Sequence, residues 1–263
     1  MKEYIASEFL KEKKQKHIYL AIICLSIIAA IFISNSYKLM GKAGILDLYC
    51  DNIQMYFFVT LIFSLLYTVV LFGDEYRYQT IYQLQMIPIK PLKFIFSKMI
   101  MVVCFNAFVM ISAIVECILI IAVHGFHLTV YSIIISLMIN LVDILLLTMV
   151  MFPVALLVIC CKENTIISLI LSTGYIMLGL IMPGLPLKQE IAQKMTTYLH
   201  PLGSYALIHN WLIYKFIPYE TSMILKPEEN AGLALIGLMI WSIICCKKMQ
   251  VLMKRSRIKG KTN

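Results

Sequence analysis

Six long apolar stretches, separated by charged or aromatic connectors, set the rhythm of this chain. They are Ile18–Ser34, Ile53–Phe72, Met99–Val123, Val130–Cys160, Thr165–Met182 and Ala231–Cys246. A hydrocarbon layer about 30 Å thick takes roughly 20 helical residues to cross. Each stretch therefore predicts a membrane-spanning helix, with the short first and last completed by interfacial neighbours or local thinning. The fourth is long enough to tilt or bend, and Pro153, which lacks a backbone donor, marks where. The period-two alternation that a transmembrane barrel requires is absent. The pattern predicts an all-α polytopic membrane protein, a single domain over residues 1–263.

The segments outside the spans carry their own pattern. In residues 1–16, Ile5, Ala6, Phe9 and Leu10 fall on one helical face, and Lys2, Ser7, Lys11 and Lys14 largely on the other. That arrangement predicts a helix lying in the membrane interface. The first span has a longer apolar core than a signal peptide and no A-x-A-like site after it, so it is read as retained. Between spans five and six, residues 183–230 hold the largely apolar run Tyr205–Ile217, with His209, Asn210 and Lys215 as its strongly polar members. This run is too short to cross and too oily for an open loop, which predicts a re-entrant outer segment packed on protein.

Composition agrees: 61% of residues are hydrophobic and 14% charged, with a mean hydropathy of +0.86. Soluble domains carry about 25% charged residues. Of 23 Lys and Arg, seventeen fall in residues 2–16, in 77–98, at Lys162 and in the basic tail 247–263. The positive-inside rule puts these pieces, and both termini, in the cytoplasm. The net charge of +9 thus needs no nucleic acid; the tail is a topology anchor that also attracts anionic lipid.

Candidate chemistry is sparse. The eight cysteines lack C-x-x-C spacing, and Cys160-Cys161 and Cys245-Cys246 are adjacent pairs at the cytoplasmic ends of spans, so no metal site or disulfide is expected. No H-E-x-x-H or G-x-S-x-G occurs, and Gly260-Lys261-Thr262 lacks the earlier glycine of a phosphate loop, Arg255 standing there instead. No catalytic residue and no cofactor is expected in this chain. Two acids lie inside spans, Glu116 and Asp143, where a charge costs about 2.5–3.5 kcal/mol on insertion scales. Two readings stand for them. Either they are structural, protonated or bonded to neighbours such as Asn140, or the three line a pathway for cationic or polar cargo.

After the second span comes the cassette Gly73-Asp74-Glu75-Tyr76-Arg77-Tyr78-Gln79-Thr80-Ile81-Tyr82-Gln83-Leu84-Gln85-Met86-Ile87-Pro88-Ile89-Lys90, running on to Lys98. Glu75–Ile87 predicts one short helix halted by Pro88 and Pro91, with Glu75 near its N-terminus where the helix dipole favours a negative charge. Glu75 and Thr80, the apolar–polar run to Ile87-Pro88 and Lys98 at the next span resemble the cytoplasmic segment of type-2 ABC transporter permeases, departing at Gln79 and at Met86-Ile87. The layout of interfacial helix, six spans and re-entrant outer segment is similar too.

The resemblance implies a permease subunit that works as a homo- or heterodimer with a second permease, driven by a separate ABC ATPase that supplies the ATP and magnesium. Residues 74–98 would then be the coupling segment, with Glu75, Arg77, Thr80, Tyr82, Leu84 and Pro88 engaging that ATPase. Size and composition look most like bacterial, Gram-positive permeases that export or confer immunity to peptide antibiotics such as lantibiotics or bacitracin. Competing expectations are a non-transporting immunity or sensor protein that binds a peptide at residues 183–230, and an intramembrane enzyme using Glu116 and Asp143.

Overall fold

A computed structural model describes residues 2–12, 23, 27, 31, 45–77, 90–123, 130–162, 164–181, 198–216 and 231–259. Seven helices carry nearly all of them: α1 (Lys2–Glu12), α2 (Ile45–Arg77), α3 (Pro91–Val123), α4 (Val130–Cys161), α5 (Thr165–Ile181), α6 (Pro201–Phe216) and α7 (Ala231–Lys259). There is no strand among the described residues. Four helices contain spans apolar and long enough to cross a bilayer: Phe58–Arg77, Pro91–Leu119, Ile133–Cys161 and Ala231–Lys254; Thr165–Ile181 is a shorter apolar helix. The expected first span, Ile18–Ser34, lies outside the described residues except for Ile23, Ile27 and Ile31, each helical and exposed.

The distribution of polarity is inverted relative to a soluble protein. On α2, Phe58, Ile62, Leu66 and Val70 form an exposed stripe at four-residue spacing, while Thr60, Ser64 and Thr68 are buried. The other helices repeat this, with Asn106, Asn140, Asp143, Ser168, Ser172 and Ser204 inside and Leu141, Leu145, Ile236, Ile240 and Ile243 outside. Such an arrangement fits lipid as the surrounding solvent, with small and polar residues at the helix contacts. The bundle is a polytopic membrane protein.

Helix α4 is the hub, packing against α2, α3, α5, α6 and α7. Its residues Leu147, Val150, Met151, Val154, Ala155 and Val158 are fully buried, a broad face at three- and four-residue spacing. Pro153 sits within this helix, which continues unbroken to Cys161. Tyr67 stacks on Phe105 at 4.4 Å between ring centres to join α2 to α3. Asn106 donates to the Thr148 hydroxyl at 3.2 Å, joining α3 to α4.

The turn from α4 to α5 is tight. Lys162 adopts a positive φ of 52°, its amide donating to the Val158 carbonyl, as in a left-handed helix cap. Asn164 caps the next helix through its side chain, accepting from the Ile167 amide at 3.1 Å.

The helices overrun the apolar stretches. α2 begins eight residues before Ile53, and α7 continues past Cys246 through the basic tail to Lys259. Hydropathy marks what lipid must cover, whereas the helix itself continues as long as Lys, Arg, Met and Leu favour it.

Candidate functional site

Two polar centres are built into this bundle. The first lies at the end where α2 finishes and α3 begins. Lys98, fully buried two turns into α3, donates to Glu8 Oε2 of α1 at 2.7 Å and to Glu75 Oε1 of α2 at 2.7 Å. Lys11 of α1 also pairs with Glu75 Oε1. Two acids and two bases thus form a neutral quartet that ties three helices together. The Lys98 ammonium also sits 5.7 Å from the centre of the Phe94 ring, which packs edge-on against Phe72. Burial alone would pull the Lys11 ammonium down. The hydrogen bond and charge of Glu75, with Glu8 and Asp74 behind it, outweigh this and hold its pKa above the ordinary 10.5.

This geometry corrects part of the sequence expectation. Glu75 does not open a separate helix; it lies in the last turn of α2, which runs through Gly73 without a break. It is stabilised by Lys98 and Lys11, not by a helix N-terminus. Gly73 needs no break because α2 is held there by its neighbours: a Cβ at this position would lie 3.9 Å from Thr165 and 4.0 Å from Val158. Pro91 starts α3, its fixed φ and missing donor suiting the first position; the stop expected at Pro88 lies outside the described residues. Arg77 is exposed in the last turn of α2. Thr80, Tyr82, Leu84 and Pro88 lie outside the described residues.

Helix α1 docks by its charged face. Glu8 is buried against α3, while Ala6, Phe9 and Leu10 point outward. An oily outer face on a docked helix is the arrangement expected at a membrane interface.

The second centre lies in the middle of the bundle. Asp143 of α4 is fully buried, and both its carboxylate oxygens face His209 Nδ1 of α6, at 2.9 and 3.0 Å. With the carboxylate ionised, the ring nitrogen donates. His209 stacks on Tyr205, one turn earlier, at 5.6 Å. Among the described residues, Asn140, one turn before Asp143 on the same face of α4, is buried with its Nδ2 unbonded, and His209 Nε2 is likewise enclosed without a partner. Asp143 is therefore partnered by a histidine from α6 rather than by Asn140. Glu116 is half-buried on α3.

Helix α6 is held in place by its first turn. Ser204 donates to the Tyr198 carbonyl at 3.0 Å, and Trp241 of α7 donates to the Leu199 carbonyl at 2.7 Å. His200 stacks on Tyr175 of α5 at 4.7 Å. Gly179 of α5 makes this approach possible, because a Cβ there would come within 2.4 Å of the His200 ring and 2.8 Å of Leu202. The parts of the expected re-entrant segment at 183–197 and 217–230 lie outside the described residues.

Sequence reasoning found Glu75, Asn140 and Asp143 but missed Glu8, Lys11 and His209 as partners. A signal was present for His209: an acid inside a span with no Lys or Arg in any apolar core leaves a histidine in an oily helix as its natural partner. Glu8 gave a weaker one, an acid beside the apolar face of a short helix, three residues from Lys11.

Among the described residues, no three His, Cys, Asp or Glu side chains are grouped to hold a metal, and Cys104, Cys117, Cys160, Cys161, Cys245 and Cys246 are free thiols. The described residues form an all-helical polytopic bundle with a charged tie at one end. Residues 4–179 match the family model described as ABC-2 family transporter protein, and the chain belongs to that family. No curated protein and no solved structure matches it.

Proposed function

We propose that this chain is the permease of an ATP-driven exporter whose engine is a separate ATPase, docked at the end that carries the charged quartet. The positive-inside rule makes that end cytoplasmic, in a bacterial cell membrane with both termini inside. Residues 78–89, which leave α2 and lead into α3, are the natural seat for the ATPase, with Thr80, Tyr82, Leu84 and Pro88 among its contacts. ATP and magnesium belong to that partner. Pairing with a second permease, identical or related, follows the common symmetric default.

One observation carries the reading. On either side of the 78–89 connector, α2 and α3 are clamped to each other and to α1 by buried Glu8, Lys98 and Glu75 with part-exposed Lys11. A push on the connector therefore reaches α2 and α3 together instead of being lost in slack. The Asp143–His209 centre, with unbonded polar atoms on Asn140 and His209, supports a polar lining for the cargo route. A re-entrant α6 would present that lining from the outer side. An amphipathic, cationic peptide, such as a peptide antibiotic, suits a route with a carboxylate inside it.

The test is reconstitution with the cognate ATPase. Deleting Gln83–Ile87 should abolish ATPase binding, while Glu75→Gln should leave the complex intact and lower cargo-stimulated turnover. Asp143→Asn and His209→Gln should lower transport at unchanged membrane levels. Intact turnover after the deletion would refute the docking site. Peptide binding without any ATPase association would favour an immunity or sensor protein.

A further inference from the structure

A lateral groove of about 480 Å³ runs between α3, α4 and α7, lined by no residue of either polar centre. Leu92, Phe96, Leu145 and Ile243 form its exposed rim, and Met99, Val103, Met149 and Phe152 its inner walls. Its size falls within the roughly 300–1,000 Å³ of small-molecule sites.

The walls ask only for hydrocarbon. Each polar side chain in them is already engaged: Thr148 donates to the Ile144 carbonyl and accepts from Asn106, Ser242 donates to the Leu238 carbonyl, and Gln250 donates to Cys246 Sγ. One charged group lines the groove, Lys247, which is exposed and stands at the same end as Leu92. Lys90, Lys93 and Lys248 are exposed around that end.

Length fits too. Leu92 to Val103 along α3 rises about 17 Å, and Gln250 to Ser242 along α7 about 12 Å. Half of a hydrocarbon layer is about 15 Å.

We infer that this groove holds an acyl chain of an anionic phospholipid from the leaflet at the basic end, its headgroup phosphate paired with Lys247. A transported peptide would need partners for its backbone, which these walls do not offer. A helix of a second copy, about 10 Å across, would fill roughly twice this volume over the same length. The inference rests on the orientation proposed above but on no cargo and no ATPase. Its test uses purified protein in detergent, where neither matters.

Binding of phosphatidylglycerol and phosphatidylcholine would be compared by native mass spectrometry and by lipid-induced shifts in melting temperature. Phosphatidylglycerol should bind at least about fivefold more tightly, the ratio expected for one basic side chain near a lipid surface. Lys247→Glu should abolish the preference. Leu145→Trp and Ile243→Trp, at exposed rim positions that tolerate bulk, should weaken both lipids, while Leu141→Trp one turn away should weaken neither. A photo-crosslinking residue at Leu145 in native membranes should yield lipid adducts. Equal binding of the two lipids, an unchanged preference in Lys247→Glu, or adducts at twice the chain mass would overturn the assignment.

Discussion

Replacing Lys98 with methionine is the sharpest test of the charged tie between α1, α2 and α3. Methionine keeps most of the side-chain volume, so the substitution removes the charge rather than the packing. The ammonium lies 2.7 Å from one oxygen of Glu8 and 2.7 Å from one of Glu75. At an effective dielectric constant of 20, each such pair is worth about 6 kcal/mol of Coulomb attraction before desolvation is subtracted. Much of that is offset by the cost of burying the ions, but removing Lys98 takes the counter-ion from buried Glu8 and leaves Glu75 with Lys11. The expected loss is about 3–5 kcal/mol, or a fall of about 6–20 °C in melting temperature for a chain of this size. Glu75→Gln should also be costly, leaving an excess positive charge. The double variant restores neutrality, with Glu8 and Lys11 remaining. It should therefore be more stable than the sum of the single effects predicts, by about 1–3 kcal/mol. The assay is thermal or denaturant unfolding in detergent for all four proteins. Single variants within about 0.5 kcal/mol of the parent, or strict additivity in the double, would refute a coupled charged quartet.

Further predictions concern backbone and pH. Gly179→Ala should destabilise by about 1–3 kcal/mol through overpacking against His200 and Leu202. Gly73→Ala meets only ordinary contacts and should be neutral or stabilising by up to about 1 kcal/mol; equal effects at both sites, read by melting temperature, would contradict the close approach of α6 to α5. Lys162→Gly removes the strain of a positive φ and should stabilise by about 1–2 kcal/mol. The pKa of Lys11 is raised on folding, so its pairing contributes stability that is fully present below pH 10.5 and lost as pH climbs through the higher folded value. Release of α1, followed by limited proteolysis, should therefore begin above pH 10.5 and lose that pH dependence in Lys11→Met.

How much of this could be read from the sequence depends on whether the cause is local. The apolar stretches at Ile53–Phe72, Met99–Val123, Val130–Cys160 and Ala231–Cys246 predicted membrane helices because hydrocarbon thickness and helix rise are fixed constants, and helices cover each of them. The helix ends were harder. The sequence places Glu75 near the start of a new helix because the apolar run ends at Phe72, whereas packing against α4 and α5 carries α2 through to Arg77. Pro91 can end one helix or begin the next in one dimension, and the structure shows it beginning α3.

By itself, the sequence determined the solvent: its apolar excess and the spacing of its long oily runs require helices embedded in lipid, whatever their partners. It also set which buried positions would be chemically expensive, since an acid at Asp143 must be answered by something. Only the tertiary structure decided what answers it. Glu8 reaches Lys98 across 90 positions, and His209 reaches Asp143 across 66. No periodicity or spacing encodes such pairs, because they arise from helices meeting in space, where the cost of an unpaired buried charge selects the partner.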